Sequence, residues 1–387
     1  MRRVRVVVVG AGAWGLPAAA ELARRGHDVE LVDRHGPGNP YGSSSGPTRL
    51  WRLSHPDRVR VRLARRAVDA WRRLESRCGE ELLLTRGLLW RDPGSNSELA
   101  AALATEGVPF VAVDAADVGR FLPGLRPTGV DAVWQETAGP VRADRALAAQ
   151  LVALVGAGGR VVSGPAVVDV RVGPGAVDVV TDDGVVRSAD VVVLAPGPGA
   201  VELLPRLGVD LDLHPVLEQV TYLSGRPGWE GLACWYEGEH EGRPSLYAMP
   251  TPGQGPFAGY KIGIDRALRE LPAGDLDRTP DQAVEAAIVA RAAADLSEPG
   301  SLVNPRACGS QVCSWTDSPD GRFVLDRILD DRVVLACGDS GEGFKFSALM
   351  GELLADLAEG ASADQDVASF GLERFSAGAP QRPALGR

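Results

Sequence analysis

The chain has 387 residues, 45% of them hydrophobic and 24% charged, with a formal net charge of −10. That length is too great for one small core and suits two interleaved domains. The acidic balance excludes a nucleic-acid partner, since no basic stripe outweighs the acids, and no apolar run is long enough to span a bilayer. Five cysteines, without metal-type or disulfide-framework spacing, point to a reducing cytoplasm and to no metal site.

Val4–Val9 is a β-branched run suited to a fully buried parallel strand, and its place at the very start leaves no room for a cleaved signal. Ala13–Arg25 reads as a helix, Val29–Val32 as a second strand, and Val59–Arg77 as a long amphipathic helix whose arginines form a solvated face. Leu82–Trp90 and Val130–Gln135 read as strands flanking a helix from Asn96 to Glu106, and Ala143–Val155 is helical. Arg160–Val170, Ala176–Thr181 and Val185–Ser188 follow as strands, the last two joined by the turn signal Asp182-Asp183-Gly184. Val191–Ala195 is another buried strand, and from Asp210 to Lys261 strands alternate with Gly and Pro. Pro280–Leu296 is an alanine-rich helix, Val333–Ala336 a last core strand, and Phe346–Leu357 a last helix. The pattern predicts an α/β chain. A Rossmann-like nucleotide-binding domain is assembled from residues 1–80, 140–208 and 320–375. An antiparallel-sheet substrate domain, 81–139 and 209–319, is inserted into it, and 376–387 form a disordered tail.

Gly10-Ala11-Gly12-Ala13-Trp14-Gly15 follows a strand and opens a helix, the context that gives a GxGxxG pattern its meaning. Gly10 makes the turn, Gly12 admits a pyrophosphate, Gly15 lets helix and strand close, and the helix N-terminus favours the same phosphates. Asp33, with Arg34 beside it, ends the second strand 18 residues beyond Gly15, where a carboxylate accepts ribose hydroxyls. Two later segments favour FAD over NAD. Ser188–Gly197 resembles the strand and turn that approach the nucleotide in FAD-dependent oxidoreductases, and Asp331–Asp339 resembles their C-terminal flavin segment.

Of 41 basic side chains only Lys261 and Lys345 are lysines, both in glycine- and aromatic-rich stretches. In an arginine-biased chain an ammonium survives best where a compact point charge is needed and a planar fork does not fit.

Five segments carry a family resemblance: Gly10–Gly15, Gly42–Arg52, Lys261, Cys313-Ser314-Trp315-Thr316 and Gly341-Glu342-Gly343-Phe344-Lys345-Phe346-Ser347. On these, the chain resembles the monomeric sarcosine oxidase and N-methyltryptophan oxidase family, within the D-amino-acid-oxidase-like flavoproteins, from residue 4 to about 360. The run from Trp51 through Trp90 is also similar to a member that oxidises a cyclic imino acid in an antibiotic pathway.

The resemblance implies that Cys313 bonds covalently to the flavin, and that Arg52 and Lys345 hold the substrate carboxylate. Arg49 would lie close to the flavin ring, Lys261 would promote reaction of reduced flavin with oxygen, and Tyr247 would line the pocket. It places Gly10, Gly12, Trp14, Gly15, Asp33, Arg34, Ser43, Ser44, Thr48, Gly341, Gly343, Phe344 and Lys345 against the cofactor. At two positions the chain departs from the sarcosine oxidases: Glu342 and Asp265 stand where they carry histidines. If both carboxylates face the pocket, they argue against sarcosine itself and for a larger amino acid with an extra hydrogen-bond donor; the alternative is that one or both point to solvent or pair with arginine.

The activity implied is oxidation of a secondary or cyclic amino acid to an imine, with oxygen reduced to peroxide, by a cytoplasmic monomer or weak homodimer. The alternatives are a flavin dehydrogenase using another acceptor, which Lys261 argues against, and a flavoprotein scaffold without turnover.

Overall fold

The computed structural model describes residues 3–224, 228–251, 253, 257–296 and 306–376. The nucleotide-binding half is built on a six-stranded sheet. Its strands lie in the order Val324–Ile328, Val333–Cys337, Val191–Leu194, Arg5–Val9, Asp28–Asp33, Arg160–Ser163. All neighbours are parallel except the Val324–Ile328 edge strand. Successive valines of the first strand serve opposite faces, as a period of two requires. Val6 and Val8 enter the helical core, while Val7 and Val9 enter the core under a three-stranded antiparallel sheet, Val167–Val172, Val177–Thr181 and Val186–Ala189. With both faces covered, the strand is a continuous apolar run.

On the helical face, Gly15–Arg24 packs against Ala143–Gly156 and Ser347–Ala358. Two close approaches need glycine. A Cβ on Gly15 would lie 1.9 Å from the Gly10 carbonyl oxygen, and one on Gly351 would lie 2.8 Å from the Pro17 Cβ.

The second half is a nine-stranded sheet. Its order is Arg269–Glu270, His214–Ser224, Gly259–Ile264, Leu246–Thr251, Cys234–Glu237, Leu88–Arg91, Ala132–Gln135, Val111–Val113, with Arg306–Asp317 on the other edge of His214–Ser224. Leu88–Arg91 runs parallel to Cys234–Glu237, and the remaining pairs are antiparallel. Alternation again divides the side chains. Trp235, Leu246, Ala248, Tyr260 and Ile262 form a core on one face. Glu218, Tyr236, Tyr247, Lys261 and Cys313 turn to the other, where they line a large cavity.

Several sequence-predicted elements are redrawn. Leu82–Trp90 is not one strand: Leu83 makes an isolated bridge to Val141, and pairing in the large sheet starts at Leu88. Gly87, at φ +75° beneath the Trp134 ring, turns the chain between them. Arg160–Val170 divides at Gly164, φ +116°, into strands that join different sheets. The helix expected from Phe346 begins at Ser347, after a tighter turn over Phe344–Phe346. Ser376 closes a short helix, Glu373–Ser376, and the remainder of the expected disordered tail lies outside the described residues. Among the described residues no helix is long and apolar enough to cross a membrane, and all five cysteines are free.

Candidate active site

A cavity of about 520 Å³ opens where the carboxyl ends of the parallel strands, at Gly10, Asp33 and Ala195, meet the polar face of the nine-stranded sheet. At the nucleotide end a Cβ on Gly10, φ +101°, would lie 2.1 Å from the Ala195 carbonyl oxygen, so no other residue fits the turn. A Cβ on Gly12 would press on Ser44 Oγ at 3.3 Å. No side chain caps the helix that starts at Gly15, which leaves its positive end turned to the cavity. Ser44 Oγ accepts from the Ala13 amide at 2.9 Å, and Asp33 accepts from the Ala11 amide at 2.8 Å, tying the loop to the second strand. From the far end of the chain the Gly343 carbonyl accepts from Trp14 Nε1 at 3.0 Å, which docks the Gly341–Lys345 segment on the glycine loop.

The sheet supplies a wall of titratable groups. Lys261 is buried and donates to the Thr48 carbonyl at 3.2 Å. Burial, with Arg49 adding to it, brings its pKa down to about 7. Glu218 lies directly opposite Cys313 in the strand register. Tyr247 favours the ionised form of Glu218. Burial and then Asp265 push the Glu218 pKa up to about 8. Burial also raises the Cys313 thiol, against the pull of Arg49. Tyr247 fits because its ring lies over Gly263, where a Cβ would stand 2.5 Å from Cζ.

The opposite end is cationic. Glu342 pairs with Arg52 at 3.3 Å and with Arg60 at 3.1 Å. Lys345 Nζ donates to the Glu342 carbonyl at 3.1 Å. Burial pushes the Glu342 carboxyl up, but Lys345 and Arg60 outweigh it and hold the group well below the usual carboxylate range. Lys345 is brought down to about 7 by burial, against Glu342. His55, its Nδ1 3.3 Å from Arg52, is held neutral by burial and by Arg52. An aromatic slab closes this end: Trp90 stacks on Tyr236 with centroids 3.8 Å apart, and the Arg52 guanidinium lies 4.8 Å from the Trp90 ring.

The cavity gathers most of the residues singled out in the sequence, and three lie elsewhere. Thr48 is buried, its hydroxyl 3.1 Å from that of Thr251; Gly15 serves helix packing; and Arg34 is exposed outside the lining. Arg49 lines the cavity, with its guanidinium donating to the carbonyls of Thr48, Ser43 and Ser45. Glu342 lines the cavity and is paired with two arginines, the alternative the sequence left open for it. Sequence reasoning missed Glu218, Tyr236, His55 and Arg60. A Glu-Gln pair inside the apolar run Val216–Leu223 was the available signal for Glu218.

A dinucleotide cradle continuous with a buried, cation-lined substrate chamber defines a nucleotide-dependent oxidoreductase. The chain belongs to the FAD-dependent oxidoreductase family, which it matches over residues 5–357. It is 26% identical to a monomeric sarcosine oxidase of Bacillus sp., covering 95% of each chain. It is 27% identical to an N-methyl-L-tryptophan oxidase of Yersinia pestis, covering 96% of this chain and 99% of that one. Among solved structures it is similar to a Tyr258Phe mutant of NikD, an unusual amino acid oxidase essential for nikkomycin biosynthesis. The TM-score is 0.81 at 26% identity, over 100% of this chain and 99% of that one. The glycine cradle and the Asp33 loop fit FAD, the cofactor of the family.

Proposed function

We propose that the protein oxidises a secondary or cyclic amino acid to its imine and reduces oxygen to hydrogen peroxide. The observation that carries this reading is the sharing of one cavity by a dinucleotide cradle, an Arg52–Lys345 cation pair and the buried Lys261. Arg52 and Lys345 hold the substrate carboxylate by charge-assisted bonds, which fixes the α-carbon for reaction. The slab of Trp90 on Tyr236 favours a substrate larger than sarcosine, with a flat or cyclic side group. FAD, when bound, would supply the hydride acceptor for that carbon and the two-electron carrier to oxygen. Lys261, fixed beside the Thr48 carbonyl, stabilises the negative charge that develops on oxygen without having to reorganise.

In this reading FAD is held covalently through Cys313, with Gly10, Gly12, Trp14, Asp33, Ser43, Ser44, Gly341, Gly343 and Phe344 around it. Burial and Glu218 oppose the thiolate this requires, and Arg49 and then Lys261 favour it. The protein works in the cytoplasm as a monomer or weak homodimer.

A peroxide-coupled and oxygen-electrode screen of the purified yellow protein against N-methyl, cyclic and aromatic amino acids tests the reading. Turnover with stoichiometric oxygen uptake supports it. Flavin reduction by an amino acid without oxygen uptake identifies a dehydrogenase instead, and absence of reduction by any of them ends the proposal.

A further inference from the structure

Glu218 is the one carboxyl on the sheet wall whose situation calls for a ligand. It is 6% exposed, lines the cavity, and has a single carboxyl oxygen, Oε1, that is buried with no hydrogen-bond partner among the described residues. Tyr247 on the same wall favours its ionised form, against burial and Asp265. A buried polar atom left without a partner costs about 1–3 kcal/mol, and a native fold retains one where a ligand completes it. The cavity already has its anion-binding end in Arg52 and Lys345. The complementary requirement of an amino acid held there is an acceptor for its N–H.

We propose that Glu218 is the acid–base group for the substrate's reacting nitrogen, taking a proton from the bound ammonium and leaving the neutral amine. The inference rests on the amino-acid-oxidising reading of the same cavity. In the transfer one N–H bond breaks and its electron pair stays on nitrogen. An O–H bond forms on Glu218, and no electrons change hands until the carbon centre is oxidised. A carboxyl is suited to this only if it titrates near working pH. Burial and Asp265 bring Glu218 there, at about 8. The groups facing it are Tyr247, Lys261 and Asp265 from the adjoining strands, Cys313 from the opposite edge, and Arg49.

Two ligands that differ in one ring atom isolate the group. Pyrrole-2-carboxylate offers an N–H where furan-2-carboxylate offers an acceptor oxygen, and both present the same carboxylate to Arg52 and Lys345. Their dissociation constants are read from the perturbed flavin absorbance of the holoenzyme between about pH 6.5 and pH 9.5. Ionised Glu218 accepts from pyrrole and repels furan, while protonated Glu218 donates to furan. The preference for pyrrole should therefore rise by about tenfold with pH. Titration of Lys261, Lys345 or Asp265 acts on both ligands alike and cancels in the ratio. In Glu218→Gln the ratio should become independent of pH. Tyr247→Phe removes the hydroxyl that favours the carboxylate form, so the crossover should move to higher pH, which also serves if the first variant fails to retain flavin. A ratio flat in the wild type, equally pH-dependent in Glu218→Gln, or with its crossover unmoved in Tyr247→Phe overturns the assignment. If neither carboxylate perturbs the flavin and no amino acid reduces it, the reading of the cavity falls, and this assignment with it. If both bind and the ratio is flat, only Glu218 loses its role.

Discussion

Two glutamates are buried in the same cavity and end in opposite states. Glu342 sits among Lys345, Arg60 and Arg52 and stays ionised far below neutrality; Glu218, buried beside Asp265, is pushed up to about 8. Burial is the largest influence on both and has the same sign, so it does not separate them. What separates them is whether the neighbouring cations outweigh it. One carboxylate completes an internal charge cluster that presents net positive charge to a substrate anion. The other is left able to exchange a proton. Acid and base roles in one chamber are thus assigned by neighbours, as a rule for reading such sites.

The two walls they belong to can be separated by experiment. The largest effect is expected at the sheet wall, on Cys313. Acid precipitation of the wild type should leave a yellow pellet, whereas Cys313→Ser should release all of its flavin to the supernatant. A colourless wild-type pellet would remove the covalent link from the proposal. Lys261→Met comes next. It keeps the stem and deletes the charge, so reoxidation of reduced flavin by oxygen should slow by ~10²–10³. Anaerobic reduction by substrate should change far less. Stopped-flow traces in which both half-reactions suffer equally would show that Lys261 serves binding rather than oxygen.

How much of this was legible before the structure follows the same division. Gly10–Gly15 was readable because backbone sterics leave no alternative: the Cβ of any other residue at Gly10 or Gly15 would sit inside a carbonyl oxygen. Lys261 and Lys345 stood out as the sole lysines in an arginine-rich chain. The unbroken valines of Arg5–Val9 announced a strand buried on both faces. Glu218, Tyr236 and His55 announced nothing comparable. Glu218 depends on a strand whose partners lie about 40 and 95 residues away, and Tyr236 on a parallel register with Trp90, 146 residues earlier. Glu342 was readable as a pocket residue with arginine pairing left open, but Arg60 was not readable as its partner, because it reaches Glu342 from a helix that the local pattern marks only as solvated.

Stability offers a smaller and more direct contrast between the glutamates. Glu342→Gln leaves Arg52, Arg60 and Lys345 without their shared anion and should cost about 2–3 kcal/mol. Glu218→Gln removes an unpaired buried carboxyl and should be neutral or stabilising at pH 8. The pH dependence has opposite signs. Glu342 is depressed, so its contribution is present above the ordinary carboxylate range and is lost only as pH falls through its lowered value. Glu218 is raised, so its share is full below the ordinary value of 4.5 and is lost as pH rises through about 8. Thermal unfolding of both variants across pH measures this, and parallel profiles for the two would show that the environments do not differ as described.

The smallest expected effect lies at the cationic end, in Lys345. Its pKa is down at about 7 because burial outweighs the pull of Glu342. The ammonium is charged below that value and neutral above it, so the affinity for a simple carboxylate such as propionate should weaken as pH rises. Losing one charge-assisted bond is worth about tenfold in the dissociation constant. A bound anion itself raises the lysine's pKa, so the fall should begin above about 7 rather than at it. Propionate has no ring atom to engage Glu218 as donor or acceptor, and its slope reports the cationic end alone. Lys345→Met should bind propionate about tenfold more weakly at low pH and lose the slope. A wild-type affinity that stays level through this range, with Lys345→Met unchanged, would leave Arg52 as the carboxylate's partner and confine Lys345 to holding the Glu342 turn.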